Sequence, residues 1–153
     1  MKKILYLHGL GSKPGGIKPE FMKCLGYEVI NPALPDEDFD ESVRIARSCI
    51  DENSPDLIIG SSRGGAVAMA AGSRGPPLVL ICPAWEKFGG TAPGGLSNTT
   101  ILHAKNDKIV PYEDSKYLHD EFGVSLISCG DGHRMIDDDA LKTLKSVIHG
   151  VLF

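Results

Sequence analysis

No stretch of the chain approaches the roughly 18 consecutive apolar residues of a membrane span. Met1-Lys2-Lys3 is followed by only four apolar residues, Ile4 to Leu7, before His8-Gly9-Leu10-Gly11. A secretory leader needs a longer apolar core and a small-residue cleavage site, so a soluble, cytoplasmic chain is expected. Basic charge is also scarce: 16 Lys and Arg face 20 Asp and Glu, for a formal net charge of -4. That balance gives no electrostatic footprint for DNA or RNA, and no nucleic-acid partner is expected. Only four cysteines are present, at 24, 49, 82 and 129, with neither CxxC spacing nor a pairing with histidines. Reduced core cysteines are therefore expected rather than a disulfide frame or a zinc site. The acidic cluster of Asp131 and Asp137 to Asp139 lacks EF-hand spacing. At 153 residues there is room for one domain with a real core, read as 1–153, and none for a second of ordinary size.

What is present is an alternation. Short apolar runs, KILYLHG (3–9), YEVINP (27–32), DLIIGS (56–61), LVLICP (78–83), TILHAK (100–105) and VSLISC (124–129), are separated by segments of helical period. That is the pattern of a parallel sheet covered on both faces, so the fold class is α/β, a three-layer sandwich with about six strands and about five helices. Phe39, Val43, Ala46 and Ile50 share one face of a helix of about fifteen residues. An alanine-rich helix covers Gly65 to Gly72, and Pro111 opens another toward His119. Ala140, Leu141, Leu144, Val147, Ile148, Val151 and Leu152 repeat at three and four in the last one. Pro83 to Asn98 has no regularity and reads as one long loop after a strand end, where ligands meet such sheets.

The glycine-rich turn after the first run fails both nucleotide fingerprints. A dinucleotide site needs glycine where Pro14 stands, and a P-loop needs lysine where Ile17 stands. What survives is a strand-to-helix turn with backbone N–H groups facing a ligand. Gly60-Ser61-Ser62-Arg63-Gly64 fits G-x-S-x-G between an apolar strand and a helix, the context that makes this pattern a nucleophile elbow with Ser62 as nucleophile. A serine hydroxyl needs a base, and the base needs a carboxylate to orient it. His133, between the last strand and the last helix, is the candidate base; His103 and His119 lie inside a strand and a helix, and His149 in the last helix. Asp107 follows the fifth run and is the candidate acid, with Asp131 a competitor too close in sequence to His133 to align with its far ring nitrogen. The N–H groups of Leu10 and Arg63 are the candidate oxyanion donors, with His8 and Ser12 fixing the first loop by side-chain hydrogen bonds.

Four motifs, YLHGLGS (6–12), GSSRGG (60–65), NDKIVP (106–111) and GDGHRM (130–135), together resemble the α/β-hydrolase superfamily, in particular its small lidless bacterial esterase-like members. The resemblance spans nearly the whole chain. It implies, in order, an oxyanion loop, the elbow, the acid turn with its D-x-x-V-P and the histidine turn. The first two strands of the common fold are missing, and the usual cap is reduced at most to Pro83–Asn98. The resemblance implies acyl transfer without fixing the leaving group. The expected activity is hydrolysis of a small-molecule ester or thioester through a Ser62 acyl-enzyme, with no cofactor. Amidase or peptidase action, or a non-catalytic binding role, remain as alternatives. Leu10, Trp85, Phe88, Ile109 and Met135 are candidates for the acyl-side wall, or alternatively core plugs. Monomer and homodimer stay open, since an exposed edge strand of the short sheet offers itself for pairing.

Overall fold

The six apolar runs become six parallel strands in a computed structural model that describes residues 1–89 and 96–153. They are β1 (Lys3–Leu7), β2 (Glu28–Ile30), β3 (Leu57–Ser61), β4 (Leu78–Ile81), β5 (Thr99–His103) and β6 (Ser125–Ser128), in the order β2-β1-β3-β4-β5-β6. The helices between them are α1 (Ile17–Cys24), α2 (Phe39–Asn53), α3 (Arg63–Ala71), the single turn α4 (Trp85–Phe88), α5 (Tyr112–Phe122) and α6 (Asp138–Leu152).

Strand period two divides the core between the sheet's faces. Leu5, Leu7, Ile58, Leu78, Leu80 and Ile101 join Val43, Ala46 and Ile50 of α2, Val67 of α3 and Leu118 of α5. Ile4, Tyr6, Leu57, Ile59, Val79, Ile81 and Leu102 pack instead against Met22 of α1 and Ala140, Leu144 and Ile148 of α6. Each fully buried aliphatic side chain contributes about 1.5–3 kcal/mol, so the central strands, apolar on both faces, carry much of the stability. The edge strand β6 is largely exposed, as its serines allow.

Three helices match the sequence pattern closely. Asp38 caps α2 by accepting the Glu41 N–H, and Asp137 caps α6 by accepting that of Ala140. Pro111 stands one residue before α5, at its N-cap. Two features differ from expectation. Helix α1 was masked in the sequence by Pro19, which sits in its first turns and is buried. The segment read as one loop from Pro83 to Asn98 begins with α4, and residues 90–95 of it lie outside the described residues.

The strand order places a switch point beside β1. Its chain leaves toward β2 through α1 on one face, while β3, on its other side, feeds α3 on the opposite face. The loops after β1 and β3 therefore part and leave a crevice at the carboxyl ends of the strands. Their backbones meet at the base of that crevice. A Cβ on Gly64 would overlap the Leu7 and His8 carbonyls, whereas one on Gly150, in α6, would meet nothing. Gly64→Ala is expected to destabilise by about 1–3 kcal/mol or more. Gly150→Ala is expected to stabilise by about 0.5–1 kcal/mol through helix propensity. Urea midpoints at matched m-values check both; a Gly64→Ala protein as stable as the parent would contradict the close approach.

Candidate active site

Ser62 stands between β3 and α3 with φ 56° and ψ -119°, a conformation that is costly for any residue but glycine. Four main-chain hydrogen bonds hold it there. Its N–H donates to the Ile81 carbonyl (2.9 Å), and its carbonyl accepts from Gly65 (2.9 Å), Ala84 (3.0 Å) and Ala66 (3.3 Å). Gly60 makes room, because a Cβ there would overlap the Gly64 carbonyl. The result is a sharp turn that presents the Ser62 hydroxyl at the crevice.

His133 Nε2 lies 3.0 Å from Ser62 Oγ, and its Nδ1 lies 2.7 Å from Asp107 Oδ2. A carboxylate only accepts, so Nδ1 carries the proton and Nε2 is left free to accept from the serine hydroxyl. The acidic residues around the histidine turn build it. Asp137 and Asp139 accept the N–H groups of Asp131 (3.1 Å) and Gly130 (2.8 Å), and Asn106 Nδ2 donates to the Asp131 carbonyl (2.8 Å). Asp131 itself takes no part in the His133 contact; its main chain ties the histidine turn to the acid turn.

The Asp107 carboxylate is buried and supplied with donors. Oδ1 accepts from the N–H groups of Ile109 (2.8 Å) and Val110 (2.9 Å), which is an Asx turn, and this explains why the acid and the apolar anchor stand three apart. Burial pushes its pKa up, but the His133 hydrogen bond and the Val110 and Ile109 N–H groups outweigh it, and the carboxyl titrates below the ordinary range. Oδ2 has a second imidazole neighbour that the sequence left as a strand residue: His103 Nε2 at 3.2 Å. That nitrogen also faces the Val110 carbonyl (3.1 Å), so it carries a proton shared between two acceptors. His103 Nδ1 then accepts from Ser115 Oγ (2.7 Å). Burial holds the ring below its ordinary pKa and thus neutral, against the opposing pull of the Val110 carbonyl and Asp107.

Cys82 closes this cluster, with its thiol, a His103 nitrogen and an Asp107 oxygen within 4.8 Å of one another. Burial raises its pKa, so the sulfur stays a neutral thiol beside the carboxylate. Both ring nitrogens of His103 are already engaged by protein atoms, and the group works as a hydrogen-bonded support for Asp107. Of the other cysteines Cys129 is buried, Cys49 half-buried and Cys24 exposed, so the expectation of four core cysteines is corrected. Cys24 lies near the C-terminal end of the amphipathic helix α1, facing solvent.

The first loop is pinned by His8, which is buried. Its Nε2 accepts the Leu34 N–H (3.0 Å), leaving Nδ1 protonated toward the Gly9 carbonyl (3.0 Å). The Ser12 contribution is main-chain, its N–H donating to the Gly9 carbonyl (3.2 Å). Among the described residues no acceptor takes the N–H of Leu10 or of Arg63. Gly9 lies against Ser62, a Cβ on it falling 3.3 Å from that of the serine. The Arg63 side chain leaves the site altogether. It is 1% exposed, lies 5.6 and 5.7 Å from the centroids of the Phe39 and Phe88 rings and donates to the Pro35 carbonyl (2.8 Å) and Ser42 Oγ (3.2 Å).

A cavity of about 250 Å³ opens beside Ser62 and His133, walled by Leu10, Tyr6, Ile17, Lys18 and Arg134 among others. Of the residues expected to form an acyl-side wall, Leu10 lines it and the other four do not. Trp85 is buried, its Nε1 donating to the Asp114 carbonyl (3.1 Å) and its ring stacked on Tyr117. Phe88 stacks on Phe39, and Met135 is buried in the core beneath α6. Ile109 is 72% exposed and belongs to the acid turn. Apolar loop residues close to a motif satisfied the packing of their own neighbourhood first. The residues that do face Ser62 come mostly from α1 and its approach, a short helix without a clear sequence signal.

This is the fold of the α/β-hydrolase superfamily, with the sheet reduced to six strands. Three solved structures give the comparison. A protein of the alpha/beta hydrolase superfamily from Xanthomonas campestris pv. campestris aligns over 97% of this chain and 98% of its own, with TM-score 0.80 and 20% identity. The ydeN gene product of B. subtilis covers 99% and 98%, with TM-score 0.76 and 13% identity. A serine hydrolase without lid from Xanthomonas campestris covers 97% and 80%, with TM-score 0.69 and 17% identity. No protein-family model matches the sequence, and no curated protein matches it either. At these identities the likeness is one of fold.

The buried neutral His103 has a consequence for acid stability. Its folded pKa lies below its unfolded one, so it costs no stability above about pH 6.5 and increasingly much as the pH falls below that value. His103→Gln is expected to be less stable than the parent at pH 8 and to lose less stability between pH 7 and pH 5. Urea unfolding across that range reads the two slopes; parallel slopes would refute a neutral buried ring.

Proposed function

We propose that the chain is a serine hydrolase that cleaves carboxylic ester or thioester bonds through an acyl-enzyme on Ser62. The observation that carries this reading is the continuous chain of hydrogen bonds from Ser62 Oγ through His133 to Asp107, ending on a hydroxyl held in a strained turn at the mouth of a cavity. In such a site His133 Nε2 takes the hydroxyl proton as Oγ attacks the substrate carbonyl, and Asp107 stabilises the imidazolium and fixes its tautomer. The carbonyl oxygen becomes an oxyanion, for which the untaken N–H groups of Leu10 and Arg63 are the donors at hand. His133 then passes its proton to the leaving alcohol or thiol. Water, deprotonated by the same nitrogen, attacks the acyl-enzyme, and the carboxylic acid departs as Ser62 recovers its proton.

The positively charged first turn of α3 lies directly after the nucleophile, and the helix carries no acidic residue in its first turn to offset it. The hydrolases that share this fold add support to the class of reaction, not to the substrate. With a cavity of only about 250 Å³, a short acyl group fits better than a long one.

A fluorophosphonate is expected to label the parent protein and not Ser62→Ala. Asp107→Asn should lower kcat by roughly 10³-fold or more with little change in KM, since the wrong tautomer leaves binding intact. A folded parent protein that neither labels nor turns over short p-nitrophenyl esters would refute the reading, and a fully active Asp107→Asn would refute the assigned acid.

A further inference from the structure

The cavity beside Ser62 has a charge that the protein as a whole does not. The chain is acidic, yet the ionisable side chains lining this cavity besides His133 and Tyr6 are Lys13, Lys18 and Arg134, with no carboxylate among the lining residues. None of the three cations is in an ion pair among the described residues. Asp36, the carboxylate that meets this loop, accepts the Gly11 N–H (3.1 Å to each oxygen) and does not line the cavity.

Lys18 is the telling member. It stands in the first turn of α1, is half-buried, and donates to the Arg134 carbonyl at 2.6 Å. That contact uses one of three ammonium hydrogens, and the other two have no acceptor among the described residues. Burial, with Arg134 adding to it, draws its pKa down to about 8, so at pH 7 the group is still mainly charged while poorly solvated. An ammonium withdrawn from water without a carboxylate is costly unless an anion joins it. Gly16, the N-cap of α1, offers no side chain to the first-turn N–H groups, and Gly16, Ile17 and Lys18 all face the same cavity. The positive helix end adds to the field of the side chains there, while the first-turn Glu20 is turned to Lys23 and does not line the cavity.

Resting on the acyl-enzyme reading, we infer that the substrate is an anionic ester or thioester, whose oxyanion, a carboxylate or a phosphate a few bonds from the scissile carbonyl, sits between Lys18 and Arg134. Lys13, exposed at the edge, adds to the attraction of such a substrate without fixing it. The Lys18 contact with the Arg134 carbonyl also joins the anion site to the turn that carries His133, so a bound anion steadies the base.

The test compares each anionic ester with a neutral counterpart of matched length at pH 7: phenyl hydrogen succinate against phenyl pentanoate for an anion on the acyl side, and 4-carboxyphenyl butyrate against 4-isopropylphenyl butyrate for one on the alcohol side. The parent protein is expected to favour the anionic member of at least one pair by tenfold or more in kcat/KM. Lys18→Met and Arg134→Gln should each collapse that ratio mainly through KM, and Lys18→Arg should restore most of it. Inhibition by free succinate against free glycerol phosphate separates the two anions. Neutral esters equal or preferred in both pairs, with fluorophosphonate labelling intact, would overturn the inference and leave the acyl-enzyme reading standing. A preference that survives both substitutions would overturn it too. Should the folded protein neither label nor hydrolyse any ester, the acyl-enzyme reading falls instead. Calorimetric titration with succinate and with glycerol phosphate then decides the anion site, supported by binding that Lys18→Met abolishes and refuted by none.

Discussion

The carboxyl end of β1 presses against the start of α3, and the rest of the site depends on how close that approach is. Gly64 allows the Leu7 and His8 carbonyls to come within contact of the helix, and Gly60 allows the elbow to fold back over itself. In the proposed reaction the oxyanion is small, and donors from two separate loops would reach it only where both backbones come to it without side chains between them. The strain at Ser62 is the counterpart of this crowding. It is sustained because four main-chain hydrogen bonds and a fully packed sheet leave the residue no alternative.

Opposite the elbow, electrostatics replaces sterics as the organising constraint. Asp107 gives up water, and in exchange the chain surrounds it with main-chain N–H groups, two imidazoles and a thiol. A carboxylate in that setting holds its charge while its geometry is fixed from every side. His103 and Ser115 extend the support for Asp107 from β5 into α5.

The three residues of the hydrogen-bonded chain could be picked out in sequence because each is tied to a local signature. Ser62 lies in a five-residue pattern between a strand and a helix, Asp107 in a turn that its own side chain closes, and His133 in a glycine-flanked turn before a strongly periodic helix. The strands and α2, α3, α5 and α6 were legible for the same reason, since period and capping are short-range properties. The rest is set by contacts between distant segments. Nothing near His103 announces that a carboxylate four residues on will turn back to it. Lys18 and Tyr6 reach the cavity through the placing of α1 and β1, not through any pattern of their own. Trp85 and Met135 carried the opposite lesson, as apolar residues next to motifs that the core claimed.

Asp137 has two oxygens with two different duties: one caps α6, the other holds the main chain of the histidine turn. The last helix and the turn of His133 are consequently put in place by one carboxylate. Synthesis proceeds from the N-terminus, so the strained serine and its loop are made long before the helix that steadies His133. On the proposed reading, a growing or C-terminally frayed chain holds Ser62 without the partner imidazole, and the Ser62–His133 hydrogen bond forms only once α6 has docked.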